Sequence, residues 1–131
     1  MSLMQLVYVS RPFGFDEATL SHILFQARDH NPRVGITGAL ICRGDIYLQL
    51  LEGPETAIEA LYKNIRLDDR HVEVKKLLQR AVSDRMFPTW AMKDDPARSW
   101  MWTQAEVDDG AVDRASEVEI LAVFERVKAE A

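Results

Sequence analysis

The run Ile46-Tyr47-Leu48-Gln49-Leu50-Leu51 constrains this chain more than any other segment. Successive side chains of a strand point to opposite faces, so a sheet with one wet face reads as alternation. Here Ile46, Leu48 and Leu50 fill one parity, and Tyr47 and Leu51 fill the other. Such a strand belongs in a sheet covered on both sides. The chain has 131 residues, the size of one domain that can bury roughly two-thirds of its unfolded surface. Both covering layers are therefore expected from its own helices.

The flanking segments supply candidates. Residues 3–10 are short, apolar and partly β-branched, and stop at Arg11-Pro12, a strand pattern. Leu20, Ile23, Leu24 and Ala27 recur at helical spacing, with Asp16 as N-cap and Phe15 and Leu20 as a hydrophobic staple. That helix is expected to end at His30-Asn31, because Pro32 pushes Asn31 toward an extended conformation. Residues 34–42 and 46–51 read as two strands joined through Arg43-Gly44-Asp45, with Gly44 at the hairpin turn. Pro54 at a first helical position and Glu55 in a first turn open a second helix. Its apolar face is Ile58, Leu61, Tyr62 and Ile65. Residues 72–82 read as a fourth strand and 90–93 as a short fifth. Residues 94–110 are polar and irregular apart from Trp100-Met101-Trp102. Residues 112–128 read as a last helix with Ile120, Val123, Phe124 and Val127 on one face. The order β-α-β-β-α-β-β predicts an α+β, ferredoxin-like sheet of five strands, antiparallel or mixed. Two helices cover one face and a C-terminal helical extension covers the other.

Charge and composition exclude several functions. Sixteen basic residues stand against 21 acidic ones, a net charge of −5. They are interleaved, as in Arg66-Leu67-Asp68-Asp69-Arg70, which argues against a nucleic-acid partner. The longest uncharged runs fall far short of the ~20 apolar residues that cross a bilayer, and no secretory signal is visible. The single cysteine, Cys42, fits a cytoplasmic location. His22, His30 and His71 lack metal-ligand spacing, so no protein-held metal is expected. No phosphate-binding glycine loop is present. Asp45 and Glu52, a hairpin apart, read as a solvated edge pair.

Three polar residues sit where apolar ones are expected. Tyr8 lies within Leu6-Val7-Tyr8-Val9, Gln49 within the central run, and Asn31 at the end of the first helix. A buried amide left unpaired costs roughly 1–3 kcal/mol. Strand pairing and the helix end can bring phenol and two amides to one place, to hydrogen-bond a planar, heteroatom-rich ring. Helix side chains such as Leu24 and Ile65 would sandwich it. That is the layout of a small cofactor pocket.

At these positions the sequence resembles a known family. The blocks are Leu6-Val7-Tyr8-Val9-Ser10; Asn31 with Gly35-Ile36-Thr37-Gly38; Tyr47-Leu48-Gln49-Leu50-Leu51-Glu52-Gly53; Asp68-Asp69-Arg70-His71; and Arg85-Met86-Phe87-Pro88-Thr89-Trp90-Ala91-Met92. In order and in combination they are similar to the BLUF domains, blue-light sensors that use FAD, of the short stand-alone type. The resemblance implies that Tyr8 donates an electron and a proton to the flavin on illumination, and that Gln49 bridges Tyr8 to the flavin N5/O4 edge. It implies that Asn31 holds the O4/N3 edge, with His30 beside it. Asp68, Arg70 and His71 would lie near the ring and ribityl chain. Trp90 and Met92 would form the switching segment next to Gln49. The cofactor expected is FAD, with FMN or riboflavin as alternative occupants in recombinant material. Tyr47, where many relatives carry Phe, puts a second phenol two residues from Gln49, either a competing electron donor near the ring or inert.

On this reading residues 1–93 are the photosensor and 94–131 a linker and a capping helix. The chain is expected not to be an enzyme, and to act as a homo-oligomer on a downstream protein in the cytoplasm. A small flavin-dependent enzyme and a flavin-free ferredoxin-like interaction module are the alternatives. The first lacks a separate acid, base or nucleophile near the pocket, and a yellow protein would exclude the second.

Overall fold

Large and β-branched apolar residues build four long strands. They are β1 (Leu3–Pro12), β2 (Thr37–Arg43), β3 (Ile46–Pro54) and β4 (His71–Val82). All neighbours are antiparallel, in the order β4-β1-β3-β2. The computed structural model describes residues 3–12, 17–43, 46–67, 71–87, 93–96 and 102–129. A four-residue strand, β5 (Lys93–Pro96), pairs in parallel with the outer side of β2. The expected fifth strand at 90–93 is thus a short strip further along, beside four antiparallel strands, and residues 90–92 lie outside the described set. Acidic residues and a proline that cannot donate suit an edge better than a sheet interior.

Helices α1 (Glu17–His30) and α2 (Glu55–Arg66) follow β1 and β3. Asp16, Phe15 and the Gly44-Asp45 turn lie outside the described residues. Two boundaries differ from expectation. Asn31 is not extended: it opens a 3-10 turn, Asn31–Val34, so Val34 is not in a strand. Proline is tolerated in the first turn of a helix, where its missing N–H costs nothing. Gly35, at φ 76°, closes that turn in the left-handed region. Pro54 stands one position earlier than expected, at the N-cap of α2.

The C-terminal part holds α3 (Gln104–Asp108), α4 (Ala111–Arg114) and α5 (Glu117–Ala129). The single expected helix is broken at Ala115, which is extended. Ser116 starts α5 afresh: its Oγ accepts from the Glu119 N–H at 3.2 Å, and its own N–H donates to Glu119 Oε1 at 3.2 Å. The α3 turn, unforeseen in a polar stretch, is capped in the same way by Thr103 and Glu106.

Each sheet face carries its own core. On one, Leu6, Tyr8, Leu40, Tyr47 and Leu51 pack with Leu24 of α1 and Ile58 of α2. On the other, Val7, Ile41, Leu48, Leu50 and Leu78 pack with Ile120, Val123, Phe124 and Val127 of α5. Phe124 meets Phe87 edge-on, with ring centroids 6.4 Å apart. β3 is buried from Ile46 through Gly53, the two-sided cover its sequence required. At Gly38 a Cβ would lie 2.0 Å from the Leu50 carbonyl oxygen, so β2 can approach β3 only without a side chain there.

Candidate functional site

The β1–β3 register sets Tyr8 directly opposite Gln49. Both point to the face covered by α1 and α2, where Tyr8 is fully buried and Gln49 is 5% exposed. The Tyr8 hydroxyl donates to Gln49 Oε1. Burying a phenol and an amide beside each other satisfies one through the other, which is why both tolerate an apolar core.

A cavity of about 340 Å³ opens over this pair. The sheet contributes Tyr8 and Gln49, and the 3-10 turn contributes Asn31, itself 1% exposed. Helix α1 contributes Ile23, Gln26, Ala27 and His30, and α2 contributes Leu61, Asn64 and Ile65. The volume falls in the ~300–1,000 Å³ range of small-molecule sites. The helices provide aliphatic walls, while four amides and a phenol offer both donors and acceptors. That donor set suits a flat heterocycle with carbonyl and N–H groups along one edge, so the residues present fit a flavin ring.

Of the expected site residues, Tyr8, Asn31, Gln49, His30 and Ile65 meet at this cavity. Leu24 does not line it. It is buried in the core beneath α1, because Ile23, Ala27 and His30, at i, i+4 and i+7, are the stripe turned toward the cavity. Tyr47 shares this sheet face but belongs to the core and not to the cavity lining. Asp68, Arg70, Trp90 and Met92 lie outside the described residues, and of His71 only the backbone, at the start of β4, is described. Gln26 and Asn64 were not foreseen. Their signal was present in helical spacing, since Asn64 falls between Leu61 and Ile65 on one face.

A second tyrosine stands behind the first. The Tyr62 ring centroid is 5.9 Å from that of Tyr8, tilted by 50°. The Arg66 guanidinium and the Lys76 ammonium lie 5.9 and 5.7 Å from the Tyr62 centroid. Burial pushes the Tyr62 phenol above its ordinary pKa, and the Arg66 charge partly offsets this.

The family model of BLUF, sensors of blue-light using FAD, matches residues 3–93. This chain belongs to the BLUF family. Photoactivated adenylate cyclase subunit beta of Euglena gracilis is 34% identical over 95 residues, which cover 70% of this chain and 11% of that protein. The chain thus spans about a tenth of the length of the curated relatives it matches. Among solved structures, the dark state of the BLUF protein BlrB superposes with a TM-score of 0.82 at 29% identity, covering 99% of this chain and 98% of that one. The photo-activated state of BlsA gives 0.80 at 26% identity, covering 98% and 96%. A bacterial light-regulated adenylyl cyclase gives 0.70 at 28% identity, covering 98% of this chain and 36% of that one. The fold is thus the α+β fold of BLUF structures, and BLUF domains are flavin-binding blue-light photosensors in signal transduction. Among the described residues, no helix is long and apolar enough to cross a membrane, and no group of three His, Cys, Asp or Glu could hold a metal.

Proposed function

We propose that this chain is a blue-light photoreceptor that holds FAD non-covalently and reports illumination to a downstream protein through a Tyr8–Gln49 switch. The observation that carries the reading is the hydrogen bond from the Tyr8 phenol to the Gln49 carbonyl at the wall of the cavity. Bound FAD supplies the absorption of blue light and the electron acceptor. Tyr8 would be the donor of an electron and, from Oη, of a proton to that acceptor. Gln49 presents a carbonyl on one side and an NH2 on the other. Rotation or tautomerisation of this amide exchanges acceptor for donor, so the groups around it must change partners. In a buried network a half-satisfied arrangement costs ~1–3 kcal/mol per group, so Gln49 has two discrete states and not a continuum. With Tyr8 back in its starting redox and protonation state, the rotated Gln49 would be what remains of the light signal.

Asn31 holds the polar edge of the ring, with His30 beside it. Ile65 forms one wall, and Leu24 supports the other from beneath. Asp68, Arg70 and His71 serve the ring and ribityl chain, while Trp90 and Met92 take the change away from Gln49. Residues 1–93 are the sensor and 94–131 the linker and covering helix. The chain works as a homo-oligomer in the cytoplasm, and its target is a protein. FMN or riboflavin, which carry the same ring, support the same switch. The test is absorption of the purified chain before and after blue light. A flavin band that shifts red and recovers in the dark is expected. A colourless protein, or a flavin that only bleaches, overturns the reading.

A further inference from the structure

Asn31 and Gln49 reach the cavity from two different elements, and something must fix the distance between them. Arg85, in the loop after β4, spans that gap. Its Nη2 donates to the Gly35 carbonyl at 2.7 Å. Its Nη1 donates to Thr37 Oγ1 at 2.9 Å and to the Glu52 main-chain carbonyl at 3.0 Å. Gly35 closes the turn that begins at Asn31, and the Ile36 N–H donates to the Asn31 carbonyl at 2.8 Å. Glu52 lies three residues beyond Gln49 on β3. One guanidinium therefore bolts the Asn31 turn to the Gln49 strand.

The main chain just after Arg85 is itself held by the Glu52 carboxylate, which is fully buried. Glu52 Oε2 accepts from the Met86 N–H at 2.8 Å and from Gln5 Nε2 at 3.0 Å, and Oε1 accepts from the Phe87 N–H at 2.8 Å. Gln5 Oε1 in turn accepts from Arg80 Nε at 2.9 Å. The registers place Arg80, Gln5, Glu52 and Thr37 in one row across β4, β1, β3 and β2. Neither Glu52 nor Arg85 lines the cavity. Burying a carboxylate is expensive unless its oxygens are hydrogen-bonded, and here three donors reach both of them. The same glutamate was expected at a solvated edge. The approach it secures is tight: a Cβ on Gly53 would lie 2.8 Å from the Gly35 oxygen.

We propose that Arg85, on a segment that Glu52 anchors through the Met86 and Phe87 N–H groups, is a positioning residue that sets the separation of the Asn31 and Gln49 amides without touching the cofactor. This rests on the flavin reading above. The test compares wild type with Arg85→Gln and Thr37→Val in the full chain, in the dark, with FAD as the probe. Three measurements are made: FAD affinity by equilibrium dialysis, the flavin C4=O stretch by infrared difference, and hydrogen–deuterium exchange at Ile36. Arg85→Gln is expected to weaken FAD binding about tenfold or more, to shift the C4=O band and to speed exchange at Ile36. Thr37→Val, which removes one acceptor, is expected to move all three the same way by less, and it decides the matter if Arg85→Gln does not fold. A control, Val118→Asp on the exposed side of α5, leaves this network alone and should leave the C4=O band in place. Folded variants with wild-type FAD affinity and an unmoved C4=O band overturn the proposal. If wild type itself binds no FAD, the flavin reading fails first, and that result is distinct from failure of the variants alone.

Discussion

Replacing Phe124 with alanine tests whether α5 is seated on the sheet as a structural layer. Phe124 is fully buried among Val7, Leu48, Leu50 and Leu78 side chains of the sheet, and meets Phe87 edge-on at 6.4 Å. Removing a buried phenyl ring costs ~3–5 kcal/mol when the cavity cannot collapse. The edge-to-face pair accounts for about 0.5–1.5 kcal/mol beyond area burial. For a chain of this size each kcal/mol moves Tm by roughly 3–4 °C, so Tm is expected to fall by ~10–20 °C. The assay is thermal unfolding by far-UV circular dichroism, with Val118→Asp as the comparison. Val118 is 77% exposed on the same helix, and its replacement should stay within about 0.5 kcal/mol. The cavity over Tyr8 and Gln49 is on the other face, so below the transition the light-induced shift should survive Phe124→Ala. A loss under about 1 kcal/mol would refute the packing argument, because no buried Phe in a filled core is that cheap.

Tyr8→Phe is expected to keep the flavin and abolish the red shift, since the phenol proton is gone while the ring remains; a normal shift in that variant would end the proposed mechanism. Gln49→Leu should likewise bind flavin and show no reversible shift, checked by the same absorption measurement. Because the folded pKa of Tyr62 is raised, its contribution to stability is complete below about pH 10. It declines as pH rises through the folded value, so wild type should lose Tm more steeply than Tyr62→Phe in alkaline melts. Gly38→Ala forces a methyl to within 2.0 Å of the Leu50 carbonyl and should destabilise by about 1–3 kcal/mol or more in denaturant titration.

Much of this molecule was legible in its sequence. The two apolar parities of β3 demanded a two-sided cover, and two clusters on two faces supply it. Tyr8 and Gln49 stood out as polar residues in apolar runs, and their pairing follows once the register is known. What escaped has physical causes. Asn31 looked extended because proline restricts its predecessor, yet a short 3-10 turn accommodates proline at its start. Leu24 and Ile23 are adjacent in sequence, and periodicity alone does not fix which of them faces a cavity, since α1 is apolar over a broad stripe. Glu52 was placed at an edge because charge usually means solvent. Its burial depends on Met86, Phe87 and Gln5, three donors that only the tertiary fold gathers. The 112–128 stretch concealed a break at Ala115 because the apolar spacing runs on while a Ser116–Glu119 capping box restarts the helix.

The place of β3 has a consequence for how a light signal can be detected. This strand carries Gln49, is hydrogen-bonded to β1 on one side and β2 on the other, and is buried along nearly its whole length. Its backbone cannot slide without breaking two ladders at once. Illumination should therefore leave the sheet almost superimposable on its dark form. Comparison of Cα positions will under-report the change, and bond-sensitive spectroscopy of side-chain amides is where the two states separate.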